Sequence, residues 1–267
     1  MGTKTKIDWC DATWNPVTGC LHGCEYCYAR GIANRFGLPY APKLGDPGME
    51  GAKKYDSAEG MDTMLELVKP YEANGRKQPY PMGFLPTFHR YKLEEPQHWR
   101  KPRNIFVCSM ADLFGEWVPD WWIEAVLNAC AAAPKHRYLF LTKNPGRYLT
   151  MPLQVIRPNG VDFWYGFTAT GMEHIDKKRI VGLKAFLSIE PLMCKPTQYM
   201  LDAITGVTWV IIGAETGNRK GKIVPEKEWI MRLVEHAERH YTYVFIKESL
   251  RDIMGSDFRQ EFPWEVR

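Results

Sequence analysis

The chain has 267 residues, 45% of them apolar, enough to bury a barrel-sized core in a single domain. No apolar run of about 18 residues exists, and Met1 to Lys6 lack a signal peptide's apolar stretch, so a cytoplasmic protein is expected, with no membrane partner. The net charge of +4 does not by itself imply nucleic acid, so its local distribution matters more.

The first informative element in chain order is a cysteine loop. Cys20, Cys24 and Cys27 are spaced C-x3-C-x2-C, with Tyr26 just before the last. Three thiolates on one tight loop can ligate three irons of a [4Fe–4S] cubane, and no fourth cysteine follows at short range. Closed four-cysteine ligation suits electron transfer, whereas a three-cysteine loop leaves one iron open to a small molecule. Zinc is the alternative, with His22 or Cys10 as fourth ligand, although His22 lies inside the loop, tighter than zinc-finger spacing. A disulfide framework fits poorly, because seven cysteines is an odd number and no secretory signal is present.

Residues 37–103 follow, rich in Gly and Pro and too long for an ordinary loop. The stretch is expected to be an insertion within a single domain spanning 1–267. A short helix is predicted near Asp62 to Val68, and the whole insertion reads as a lid or substrate-binding arm. Between Lys69 and Arg103, eight Lys or Arg stand against three Glu, interleaved with Tyr71, Tyr80, Phe84, Phe88, Tyr91 and Trp99. Positive charge attracts phosphate and aromatic faces stack on bases, which makes this a candidate nucleic-acid surface. A solvated loop anchored by its aromatics is the equal alternative. Asn218-Arg219-Lys220-Gly221-Lys222 is a weaker candidate patch.

From residue 104 onward, apolar runs alternate with helical stretches. Runs over 104–108, 137–142, 163–168, 184–189, 208–213 and 243–247 read as strands buried on both faces. Helices are predicted over Pro119 to Ala133 and Glu226 to His240; in the second, Trp229, Ile230, Leu233, Val234 and Ala237 recur at helical spacing. The alternation predicts an α/β barrel or a doubly wound sheet. Each strand runs into a polar cluster: Ser109-Met110-Ala111-Asp112, Thr142-Lys143-Asn144, Thr168-Ala169-Thr170, Glu190-Pro191, Glu215-Thr216 and Lys247-Glu248-Ser249. Parallel barrels build their sites at those ends.

The cysteine loop, with an aromatic before its last cysteine, resembles the signature of the radical S-adenosylmethionine (radical SAM) superfamily. The resemblance implies an α/β fold, a partial (β/α)6 barrel with the cysteine loop after its first strand. It implies a [4Fe–4S] cluster on Cys20, Cys24 and Cys27, with S-adenosylmethionine chelated by the open iron. An electron from the cluster would cleave that cofactor to a 5′-deoxyadenosyl radical, with a one-electron reductant such as flavodoxin or ferredoxin as partner. Trp14 to Cys20, Ser109 to Phe114, Leu141-Thr142-Lys143 and Leu187 to Leu192 resemble a phage-associated radical SAM family over nearly the whole chain.

Gly19 to Tyr28, with Cys108-Ser109-Met110-Ala111-Asp112, is similar to the spore photoproduct lyase family, which repairs thymine photodimers in DNA. That resemblance implies Cys108 as a hydrogen-atom donor at the barrel mouth and Tyr26 near the adenine. Ser109 and Asp112 would meet the methionine amino group or ribose, and Lys143 its carboxylate. The plain alternatives are a buried, inert Cys108 and a surface Lys143. A DNA photoproduct lyase is thus the most specific expectation. Modification of DNA or RNA bases, or of another biomolecule, is one alternative; a zinc-stabilised nucleic-acid-binding protein is another.

Overall fold

The computed structural model describes residues 5–38, 41–56, 63–170, 182–217 and 219–265. Seven strands form one parallel sheet in sequential order: β1 Ala12–Trp14, β2 Asn104–Val107, β3 Arg137–Thr142, β4 Asp162–Thr168, β5 Ala185–Ile189, β6 Trp209–Ile212 and β7 Tyr243–Ile246. β1 and β7 are the ends of that order, so the sheet is an open half-barrel, the partial α/β barrel expected. Six strands fall on the apolar runs, and β1 precedes the cysteines. No helix among the described residues is long and apolar enough to cross a membrane.

Period-two side-chain alternation sorts each strand between two environments. Phe106, Leu139, Trp164, Phe186, Trp209 and Phe245 point into the barrel, where Trp9 joins them. Val107, Phe140 and Tyr165 face outward into a core with the helix over Asp120–Ala131, which contributes Trp122, Ile123, Val126 and Cys130. Leu187, Val210, Ile212 and Ile246 pack outward as well, against the longer helix over Lys227–Arg239. That helix buries Ile230, Leu233, Val234 and Ala237, the stripe its spacing predicted. Full burial of Ile230, Leu233 and Val234 contributes roughly 2 kcal/mol each. The open edge of β7 is partly covered by the C-terminal segment: Ile246 N donates to Arg259 O at 2.9 Å and Glu261 N to Val244 O at 3.0 Å. The N-terminal segment spans the seam, where Asp8 Oδ2 accepts from Glu248 N at 2.7 Å.

A second, four-stranded sheet pairs Val17–Thr18, Thr87–His89, Thr63–Leu67 and Lys53–Asp56. This corrects the helix expected near Asp62 to Val68. Among the described residues of that span, Thr63–Leu67 is a strand, paired parallel to Thr87–His89 and antiparallel to Lys53–Asp56. The aromatics of 69–103 fit the second of the two readings, a segment anchored by its aromatics. Tyr71 and Phe88 are buried in this region's cores, and none of the six is among the exposed large apolar side chains. Tyr71 and Phe88 anchor the segment from within.

Candidate active site

The strand ends and the cysteine loop enclose a cavity of about 200 Å³. Cys20, Cys24, Tyr26 and Cys27 line it from the loop, Ser109 and Asp112 from β2, and Lys143 from β3. Thr168, Ser188, Glu190, Glu215 and Lys247 line it from β4 to β7, and Trp9 and Phe106 reach it from the barrel interior. Of the eight site residues expected from sequence, seven meet here.

The loop's path is set by its ends. Gly19 N donates to Met110 O at 2.9 Å and Cys20 N to Phe84 O at 3.0 Å, which ties the loop to both sheets. Gly19 adopts φ +87°, and a Cβ there would stand 2.2 Å from Leu85 O, so only glycine fits. At the other end Cys27 caps the helix over Tyr28–Phe36, its Sγ accepting from Arg30 N at 3.4 Å. A helix N-terminus favours a thiolate or an anionic cluster beside it. Burial pushes the Cys20 thiol up to about 12, opposed by the His22 backbone N–H, so a metal ligated there displaces a proton.

Two further contacts fasten the loop to the strand ends. Asp112 Oδ2 lies 2.7 Å from His22 Nε2 and accepts from Lys143 N at 2.9 Å, while Oδ1 accepts from Phe114 N at 3.0 Å. Asp112 is therefore a brace between the cysteine loop, β2 and β3. Lys143 Nζ donates to Tyr26 Oη at 2.8 Å and sits 5.4 Å from its ring centre. Burial raises the Tyr26 phenol and the Lys143 charge opposes it. Ser109 Oγ donates to Asn15 Oδ1 at 3.2 Å.

Cys108 is the exception, and the expectation of a thiol at the barrel mouth is corrected. It is 2% exposed, packs in the outer core with Trp14, Val107 and Trp122, and does not line the cavity. Strand alternation would place it beneath the mouth, on the face of Phe106. Its backbone instead turns left-handed at φ +58°, and the side chain enters the core of Val107. Burial also pushes this thiol up to about 12.

Sequence reasoning flagged the ends of β5 to β7 without assigning roles there. Glu190 and Lys247 form an ion pair across the wall, with Asp8 Oδ1 4.0 Å from Lys247 Nζ. Glu215, 4% exposed, receives a two-pronged contact from Arg219, both bonds 2.7 Å. Those hydrogen bonds hold its carboxyl below the usual range. Arg219 also reaches Glu25 of the cysteine loop at 3.9 Å. The polar clusters at strand ends were the available signal; their pairing was not.

The donor set fits a cubane: three free, half-buried thiols on one loop, all lining one cavity. Among the described residues no three His, Cys, Asp or Glu converge to hold a single metal ion. A cubane takes each thiolate on a separate iron and needs no such point. Of the two residues considered as a fourth zinc ligand, His22 lines the cavity with the thiols and Cys10 does not. His22 is engaged by Asp112, and Cys10 lies outside the cavity lining with its Sγ 3.8 Å from Ile7 O.

The fold and site define a partial parallel α/β barrel with a three-cysteine loop beyond its first strand. The chain belongs to the family described as "Protein of unknown function (DUF5131)", which matches residues 4–250. Its fold is similar to that of spore photoproduct lyase. A mutant of that enzyme with a cysteine replaced by serine aligns at TM-score 0.50 and 11% identity, covering 92% of this chain and 79% of the other. The same enzyme complexed with dinucleoside spore photoproduct aligns at TM-score 0.50 and 10% identity, with the same coverage. Comparison with curated proteins finds no match.

Proposed function

We propose that this chain is a radical S-adenosylmethionine enzyme acting on nucleic acid. One observation carries the reading: the three cysteines of the C-x3-C-x2-C loop line a single cavity at the C-terminal ends of a parallel half-barrel. Cys20, Cys24 and Cys27 hold a [4Fe–4S] cluster. When bound, the cluster supplies the electron that breaks a C–S bond of S-adenosylmethionine. Lys143 holds the cofactor's carboxylate as a compact positive charge. Tyr26, oriented by Lys143, forms the neighbouring wall, and Asp112 keeps the cysteine loop in register with β2 and β3. Ser109, from the end of β2, faces the same cofactor. A one-electron reductant of the flavodoxin or ferredoxin kind is the partner this chemistry needs.

The most specific substrate in this reading is a thymine photodimer in DNA, supported by the fold likeness to a photoproduct lyase. A damaged base costs less to extrude into such a cavity. The second reading is modification of a nucleic-acid base. The burial of Cys108 outside the cavity favours it, because the expected hydrogen donor is not beside the reacting centre.

Anaerobic reconstitution tests the shared reading. About four irons per chain and dithionite-bleached absorption are expected, with 5′-deoxyadenosine formed from S-adenosylmethionine. Replacing Cys20, Cys24 or Cys27 by Ala abolishes both iron uptake and cleavage. A colourless protein holding one zinc through these residues would sink it. Incubation with ultraviolet-irradiated and intact DNA, with products analysed by mass, then separates repair from modification.

A further inference from the structure

The wall at the ends of β5 to β7 takes no part in holding the cluster, yet it is a constructed feature. Glu190 follows β5 and Lys247 follows β7, with β6 between them. They meet over Gly213, at the end of β6. A Cβ on Gly213 would stand 2.8 Å from Lys247 Cδ and 3.2 Å from Glu190 Cγ. The missing side chain is what allows the two stems to come together beside the cavity. Among the described residues Lys247 Nζ donates only to Glu190 Oε1, and Glu190 Oε2 accepts from none. The pair thus presents a charged donor and a charged acceptor side by side at a cavity that Trp9, Phe106 and Tyr28 also line.

The charges around this wall decide what suits it. Among the charged side chains lining the cavity, Asp112, Glu190 and Glu215 are three carboxylates against two cations, Lys143 and Lys247, with Asp8 beside Lys247 and Arg219 on Glu215. Such a surface disfavours a phosphate in the cavity. It suits a flat, neutral ligand that packs against the exposed Tyr28 ring and carries an N–H next to an acceptor atom, which is the chemistry of a nucleobase edge.

Resting on the nucleic-acid reading above, we propose that Glu190 and Lys247 read the edge of an extruded nucleobase. The Glu190 carboxylate accepts from a base N–H, and the Lys247 ammonium donates to the adjacent ring nitrogen or carbonyl oxygen. The backbone phosphates stay outside the cavity. Gly213 sets the spacing of the two groups.

The test uses the reconstituted protein and a labelled mixed-sequence single-stranded oligonucleotide, with its fully abasic counterpart as control. Anisotropy is expected to show the base-bearing strand bound about tenfold more tightly or better, the scale of a good base-edge contact. Glu190→Gln and Gly213→Ala each bring that ratio close to one. An unchanged ratio in variants of normal melting temperature overturns the proposal, leaving the pair as a clamp between strands. So does a parallel loss of S-adenosylmethionine affinity, which assigns the pair to the cofactor's zwitterionic end. Iron content and cofactor cleavage are read on the same samples. Iron-loaded protein without base preference refutes base reading alone, and base preference without iron refutes the cluster alone.

Discussion

At the ends of β1 to β3 most ties run through backbone groups, Asp112 to Lys143 N and Phe114 N, Cys27 to Arg30 N, Gly19 N to Met110 O, with His22–Asp112 and Lys143–Tyr26 as the side-chain pairs. At the ends of β5 to β7 they are tied to one another by ion pairs, Glu190 with Lys247 and Glu215 with Arg219. The first wall is held rigid by hydrogen bonds that a bound group need not break. The second keeps charge in reserve, since each pair can exchange a partner for a ligand of matching polarity. On the proposed function, the cofactor lies against the first wall and the substrate against the second.

The sharpest break of this contrast comes at Lys143. Lys143→Ala is expected to weaken S-adenosylmethionine binding about tenfold, the scale of one charged hydrogen bond, with iron content unchanged. Calorimetric titration of the reconstituted protein measures it. Unaltered affinity would confine the ammonium to orienting Tyr26 and move the cofactor's carboxylate elsewhere.

A smaller effect is expected at Arg219. The Glu215 carboxyl lies below its ordinary value because Arg219 donates to it. Its contribution to stability is therefore present above the ordinary carboxylate range and is lost as pH falls through the lowered value. Arg219→Ala should lower the melting temperature at neutral pH and flatten the acid limb of the stability curve. Thermal melts from neutral pH down to about pH 3 give the comparison. Parallel curves for the two proteins would mean that the contact is worth nothing to the fold.

The smallest effect is expected at Cys108. Its thiol sits in the outer core, so Cys108→Ala should cost about 1 kcal/mol in denaturant unfolding and leave the reaction products unchanged. A changed product pattern would bring the thiol back into the chemistry and place a hydrogen donor on the first wall.

The cysteine loop, the apolar strands from β2 to β7 and the helices over Asp120–Ala131 and Lys227–Arg239 were legible in the sequence. Ligand spacing and periods of two and 3.6 are properties of consecutive residues, and they survive in any tertiary setting. For the same reason Lys143 could be placed at a strand end, next to the site. Thr63–Leu67 was misread because its run of Met64, Leu65 and Leu67 suits either state; pairing with Thr87–His89, twenty residues and more away, selected the strand. Cys108 was misplaced because its position was carried over from a resemblance, while here one left-handed torsion at the end of β2 turns the side chain into the outer core. The meeting of Glu190 with Lys247 had no local signal at all. It depends on the order and curvature of three strands and on a glycine between two stems, and only the folded half-barrel brings those residues within reach of each other.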